Sequence, residues 1–422
     1  MKKRLLSLFS GCGGMDIGFE GGFKIPEATI NIDIHKDWIE LKEDCFVQLK
    51  ETIFETVFAN DINDHAKIVW NDYFSKKRGI NLNEIYKVKS IVEIVKEYKN
   101  GAKNQFPKNV DIVTGGFPCQ DFSIAGKRKG FNSNKDHKGN LIDIKVPSEE
   151  TRGKLYMWMK EVIEITSPKI FIAENVKGLS NLGEVKDIIQ SDFSNTNGDG
   201  YLVLSPKVLH SGHFGIPQSR ERIIFIGFKK SALTNKALQE LSKNEILESY
   251  TPYPTPTHRI NGEIHYNSFE HLMKNHTKAK DVLLDLKEPD ESLDLSQKYY
   301  SKAKFLGTHC QGQKEIDLEK LAPTIRSEHH GNIEFRRLSL ENGGKIYDEL
   351  NNNLKERRLT LRECARIQTF PDDFNLVIKS ENKFIVSPSI AYKLVGNAVP
   401  PLLAYHIAKK IELNWDFYFN SV

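Results

Sequence analysis

Apolar positions in the first 230 residues switch repeatedly between short runs and helical spacing. A run at 5–9 (Leu5, Leu6, Leu8 and Phe9) ends in Gly11-Cys12-Gly13-Gly14. A second, at 55–59, ends at Asn60-Asp61 and leads into a helical pattern over 66–73. A third, at 110–114, ends in Gly115-Gly116-Phe117-Pro118-Cys119. Leu155, Trp158, Met159, Val162 and Ile163 recur at helical spacing, ahead of a strand-like run at 170–173 that ends in Glu174-Asn175. Residues 222–227 are strand-like again. Strands alternating with helices predict an α/β fold with a mostly parallel, doubly wound sheet. Ligands of such sheets sit at the carboxyl ends of the strands. Those ends carry a glycine loop, an acid, a cysteine and a second acid.

From 229 to 357 the periodicity dissolves into a loop-rich module that contains Pro252, Pro254 and Pro256 and 7 of the 13 histidines. The helical pattern then returns. Thr360 and Glu363 form a capping box ahead of Leu361, Cys364, Ala365 and Ile367. Pro400-Pro401 opens a last helix with Leu403, Ile407 and Ile411 on one face.

A length of 422 residues allows two domains, and 39% hydrophobic residues exclude a disordered chain. No apolar run approaches the ~20 residues of a membrane span. Met1-Lys2-Lys3-Arg4 begins no signal peptide, so a cytoplasmic location is expected. The five cysteines (Cys12, Cys45, Cys119, Cys310 and Cys364) are scattered without a CxxC pair, which argues against disulfides and a zinc cluster. The net charge of +4 hides a segregation. Residues 126–154 hold eight basic and four acidic side chains, whereas 229–357 holds twenty of each.

Each chemically loaded segment has a plain alternative. The glycine loop is not GxGxxG, and by itself it reads equally well as a turn without a ligand. Asp61 could be a helix cap, and it lies 47 residues past Gly14 rather than the ~20 of a dinucleotide fold. Cys119 could be an inert buried thiol, but polar Gln120 and Asp121 follow it, as suits a nucleophile facing a cleft. Glu174 and the cluster Gln218-Ser219-Arg220-Glu221-Arg222 read singly as a solvated acid and a charged loop. They gain weight as a set.

As a set they resemble the DNA (cytosine-5)-methyltransferases of bacterial restriction–modification systems. FSGCGG (9–14) resembles that family's S-adenosylmethionine loop, PCQ (118–120) its catalytic motif, ENV (174–176) its ENV motif and QSRER (218–222) its QxRxR motif. RLTLRECARIQTFPDDF (358–374) and VGNAVP (395–400) match its last two blocks. The resemblance implies a Rossmann-like S-adenosylmethionine-dependent domain at 1–228, completed by 392–422, and an irregular target-recognition domain and hinge at 229–391. It implies that Cys119 adds to C6 of a flipped cytosine, that Glu174 binds N3 and the amine, and that Arg222 holds O2. Arg220 is expected beside them, contacting phosphate or bracing the site.

Phe9, Gly11, Gly13, Gly14, Asp61, Ile62, Pro118 and Asn397 are the implied cofactor contacts. Asp61 stands where the family usually has Glu, Ile62 where an aromatic is common, and Ser90 where an acid falls. Ser123, Lys127, Arg128 and Lys129 are expected on DNA phosphates, and Arg326, His329, His330 and Asn332 on base edges. The implied cofactor is S-adenosylmethionine, leaving S-adenosylhomocysteine, with no metal. Double-stranded DNA is the implied partner, with no membrane. A monomer and a cognate restriction endonuclease are expected by analogy. Three other readings fare worse. A nicotinamide dehydrogenase conflicts with the glycine spacing. The tRNA-methylating branch carries a much smaller recognition region. A non-catalytic DNA-binding relative would be expected to lack Cys119 or Glu174, and both are present.

Overall fold

A computed structural model describes residues 2–118, 155–181, 183–196, 200–260, 262–263, 267–307, 313–327 and 334–420. The chain begins with β1 (Lys3–Leu8) and α1 (Gly14–Glu20). A small antiparallel meander follows, made of β2 (Lys24–Pro26), β3 (Ile39–Glu43) and β4 (Phe46–Leu49). Next come β5 (Phe54–Asp61), α2 (Asp64–Arg78), β6 (Tyr86–Val88), α3 (Ile91–Lys99) and β7 (Ile112–Gly115). After these come α4 (Leu155–Thr166), β8 (Ile170–Val176) and α5 (Gly183–Ser194). The strands β9 (Tyr201–Val203), β10 (Lys207–His210) and β11 (Glu221–Lys229) close this part.

Eight of these strands form one sheet in the order β10-β11-β8-β7-β1-β5-β6, with β9 also paired to β11. From β8 to β6 every pairing is parallel, and β11 pairs antiparallel with β8, β9 and β10. Alternation within the strands explains the two faces. Leu5, Ile112, Ile170, Ile172, Ile224 and Ile226 join α1, α2 and the helix Pro401–Leu413 in one core. Their neighbours Leu6, Val113, Phe171, Ala173, Ile223 and Phe225 join α3, α4 and α5 in the other. Apolar residues therefore fall on both faces of the central strands, as at 170–173 and 223–226, as expected of a sheet covered on both sides. Burial of each such side chain contributes ~1.5–3 kcal/mol.

The described residues of 229–360 hold only short elements. They are tied to the sheet at Tyr253, whose hydroxyl donates to the Ile224 carbonyl at 3.2 Å. The capping box forms as the sequence predicts, with Thr360 and Glu363 opening the helix Leu361–Ile367. The segment 361–377 shares the core of α1 and α2, and the Phe374 and Tyr73 rings lie 5.3 Å apart. Among the described residues, no helix is long and apolar enough to cross a membrane.

Candidate active site

Strand β1 lies between β5 and β7, so the carboxyl ends of β1, β5, β7 and β8 open side by side. After β1 the backbone passes through positive φ at Phe9 (52°), Gly11 (53°) and Gly13 (88°) before α1 begins. Glycine meets that demand at little steric cost. The loop is held from outside. Ser10 N–H donates to Asn60 O at 2.8 Å, and the Tyr86 hydroxyl donates to Gly11 O at 2.8 Å. Gly11 N–H donates to Asp61 Oδ2 at 3.0 Å, and Asn63 N–H to Asp61 Oδ1 at 3.0 Å. Burial raises the Asp61 carboxyl above its ordinary pKa, and those two N–H groups oppose the rise.

These residues fit an adenosyl cofactor. A Cβ on Gly11 would meet nothing within 4 Å, so the loop is open there. The Asp61 carboxylate suits ribose hydroxyls. Ile62, 52% exposed, and half-buried Phe9 offer apolar surface for a base. Ser90 is buried at the start of α3.

The second half of the site lies at β7 and β8. Glu174 sits opposite Ile224 in the β8–β11 ladder and Arg222 opposite Val176. This diagonal offset puts both on one face of the sheet. Arg222 Nε lies 2.6 Å from Glu174 Oε1, and both side chains are largely buried. Arg222 Nη1 also donates to Glu221 O at 2.8 Å. A Cβ on Gly116 would stand 2.8 Å from Glu174 Oε2, so glycine leaves that oxygen room. Asn175 Nδ2 donates to the carbonyl of Phe117 at 3.1 Å, fixing the peptide that leads into Pro118. Asn175 and Gly116 stand within the sequence motifs, but no spacing rule gave them these roles. Cys119, Ser123, Lys127, Arg128 and Lys129 lie outside the described residues.

Arg220 lies in a different setting from Arg222. It is 1% exposed, and its guanidinium bonds to backbone carbonyls. Nη1 donates to Ile325 O at 3.0 Å, and Nη2 donates to Gly396 O at 3.1 Å and to Ala398 O at 2.8 Å. Of the two roles left open, the geometry supplies the brace. Asn397 is exposed between those two carbonyls, at the end of the helix Pro388–Asn397. Its turn backs onto the cofactor loop, where a Cβ on Gly14 would fall 2.2 Å from Val399 O. Arg326 is exposed next to Ile325, whereas His329, His330 and Asn332 lie outside the described residues. Among the described residues, no group of three or more His, Cys, Asp or Glu could hold a metal ion.

Comparisons with known proteins agree over nearly the whole chain. The family model for C-5 cytosine-specific DNA methylases matches residues 3–413. The chain is 28% identical to the type II methyltransferase M.BsuRI of Bacillus subtilis, covering 98% of this chain and 80% of the relative. It is 29% identical to M.FnuDI of Fusobacterium nucleatum, covering 97% and 94%. It is 30% identical to M.HpaII of Haemophilus parainfluenzae, covering 72% of each. Among solved structures, the Entamoeba histolytica methyltransferase EhMeth aligns over 99% of both chains at 14% identity, with a TM-score of 0.53. The S. pombe Dnmt2 methyltransferase aligns over 98% of this chain and 99% of its own at 16% identity, with a TM-score of 0.50. Both share the fold.

Proposed function

The chain belongs to the C-5 cytosine-specific DNA methylase family and is a cytosine-5 DNA methyltransferase of the restriction–modification type, and from that premise we propose that Cys119, Glu174 and Arg222 carry the reaction. C5 of cytosine is a weak carbon nucleophile. Addition of the Cys119 thiolate to C6 pushes an electron pair toward C5 and makes it an enamine carbon. Glu174 hydrogen-bonds N3 and the exocyclic amine, balancing charge as it develops in the ring. Arg222 holds O2 and, through its 2.6 Å contact, fixes Glu174. S-adenosylmethionine, when bound, supplies an electrophilic methyl group. Phe9, Gly11, Gly13, Gly14, Asp61, Ile62, Pro118 and Asn397 would hold it. Once C5 carries the methyl, loss of its proton and departure of Cys119 from C6 restore the aromatic ring as 5-methylcytosine. None of these steps calls for a metal ion.

The target base must leave the duplex, at a cost of a few kcal/mol. Lys127, Arg128 and Lys129, with Ser123, meet the flanking phosphates from a segment of net charge +4. Arg326, His329, His330 and Asn332 read base edges. The enzyme acts as a monomer in the cytoplasm and shields host DNA from a cognate endonuclease. The observation that carries this reading is the Glu174–Arg222 pair on one face beside the carboxyl end of β7. Incubation with tritiated S-adenosylmethionine and either unmethylated genomic duplex DNA or tRNA tests it. Label is expected in the DNA, recovered as 5-methylcytosine after hydrolysis to nucleosides. Label in tRNA alone, or in a different methylated base, overturns it.

A further inference from the structure

We propose that Arg220 is a positioning residue through which the cofactor pocket and the base-reading segment sense each other. The proposal rests on the reading just given. Two stretches of backbone, remote in sequence from Arg220 and from each other, meet on this one guanidinium. It donates to Ile325 O at 3.0 Å, to Gly396 O at 3.1 Å and to Ala398 O at 2.8 Å. The flanking residues lock the same junction. Gln218 Oε1 accepts from Ile325 N–H at 3.2 Å, Ser219 N–H donates to Ala322 O at 2.8 Å, and the Thr324 hydroxyl donates to Ser219 O.

The junction has no slack. A Cβ on Gly396 would stand 2.3 Å from the carbonyl carbon of Arg326 and 2.4 Å from Ser327 N. On one side it continues into the cofactor loop, because Val399 O presses on Gly14 and Gln368 Nε2 donates to Val395 O. On the other side stands Arg326, the first residue of the proposed base-reading segment. Two residues beyond Arg220, Arg222 pairs with Glu174.

Nη1 and Nη2 are fixed relative to each other in a planar fork. Residue 325 therefore cannot shift against 396–398 without loss of at least one bond. Close-packed junctions of this kind pass on a displacement rather than absorb it. Order imposed at 395–399 by a cofactor is then felt at 322–327, and the effect runs equally in the other direction. A lysine, with one compact charge, cannot span the same carbonyls.

Hydrogen exchange on the whole chain, with and without S-adenosylhomocysteine and with no DNA present, tests the proposal. In the wild type the ligand is expected to slow exchange at 9–14 and 395–399, and also at 322–327 by about fivefold or more. In Arg220→Lys the slowing at 9–14 and 395–399 persists and that at 322–327 is lost. A brace with only a structural role would lower the melting temperature and leave this response intact. Slowing that stops at 395–399 in the wild type overturns the proposal, as does full transmission in the lysine variant. If that variant does not fold, the wild-type response alone decides. No slowing at 9–14 defeats the cofactor reading itself and this proposal with it.

Discussion

At the scale of single residues, Glu174 depends on its two neighbours. Arg222 pins Oε1 at 2.6 Å, and Gly116 leaves Oε2 uncovered. Gly116→Ala places a methyl 2.8 Å from Oε2 in the unrelaxed structure, and the carboxylate cannot swing away without breaking its pair. A misplacement of about 1 Å costs on the order of 10²-fold in rate. We therefore expect kcat to fall by about 10–100-fold in steady-state methyl transfer, with S-adenosylhomocysteine affinity unchanged by calorimetry. Glu174 and Arg222 could be picked out from sequence because both stand in ordered motifs. Arg220 was left with two open roles, and its partners could not be read from sequence. It precedes the first residue of β11, Glu221, so the alternation that aims Arg222 at the site does not extend to it. Its partners are backbone carbonyls about 100 and 180 residues away, which no side-chain pattern reveals.

At the scale of elements, the central strands were legible because short apolar runs place residues on both of their faces. The meander β2–β4 and the strands β6 and β9 were not. They run for three to five residues, too few to display a period. The charge pairs around the helix Leu361–Ile367 were equally hidden, because their members come from separate segments. Glu288 receives Arg337 at 2.6 and 3.0 Å and Arg357 at 3.0 and 3.1 Å. Burial raises its pKa, but the hydrogen bonds and charges of the two arginines prevail and hold it at about 2. The stability it supplies is complete above the ordinary value of 4.5 and is lost as pH falls from there toward about 2. Glu288→Gln should cost about 2–3 kcal/mol at neutral pH. Urea unfolding midpoints measure that cost, and the gap between variant and wild type should narrow as pH falls below 4.5.

At the scale of the whole molecule, the fold class was legible because alternating strands and helices admit few arrangements. How the parts join was not. The segment 361–377, which the sequence groups with the recognition domain and hinge, packs against α2. The histidine-rich module also has a second use. His258 is buried, as are His35 of the N-terminal part and His406 of the last long helix. The His35 ring stacks on Trp38 at 3.5 Å and meets His406 at 5.2 Å. Burial pushes His35 and His258 down to about 3, and His406 well below its ordinary value. These rings stay neutral in the fold, whereas the unfolded chain binds protons below about pH 6.5. Stability should therefore fall as pH drops from 6.5 toward 3, and His406→Phe should flatten that slope, read from urea midpoints between neutral and mildly acid pH. The central claim concerns Cys119, and a duplex with every cytosine replaced by 5-fluorocytosine tests it most directly. Fluorine cannot leave C5 as the proton does, so the bond from Cys119 to C6 persists once the methyl is in place. With S-adenosylmethionine, the wild type should yield a protein–DNA adduct that survives a denaturing gel, and Cys119→Ser should yield none. An adduct with the serine variant, or none with a wild type that methylates ordinary DNA, would contradict the account.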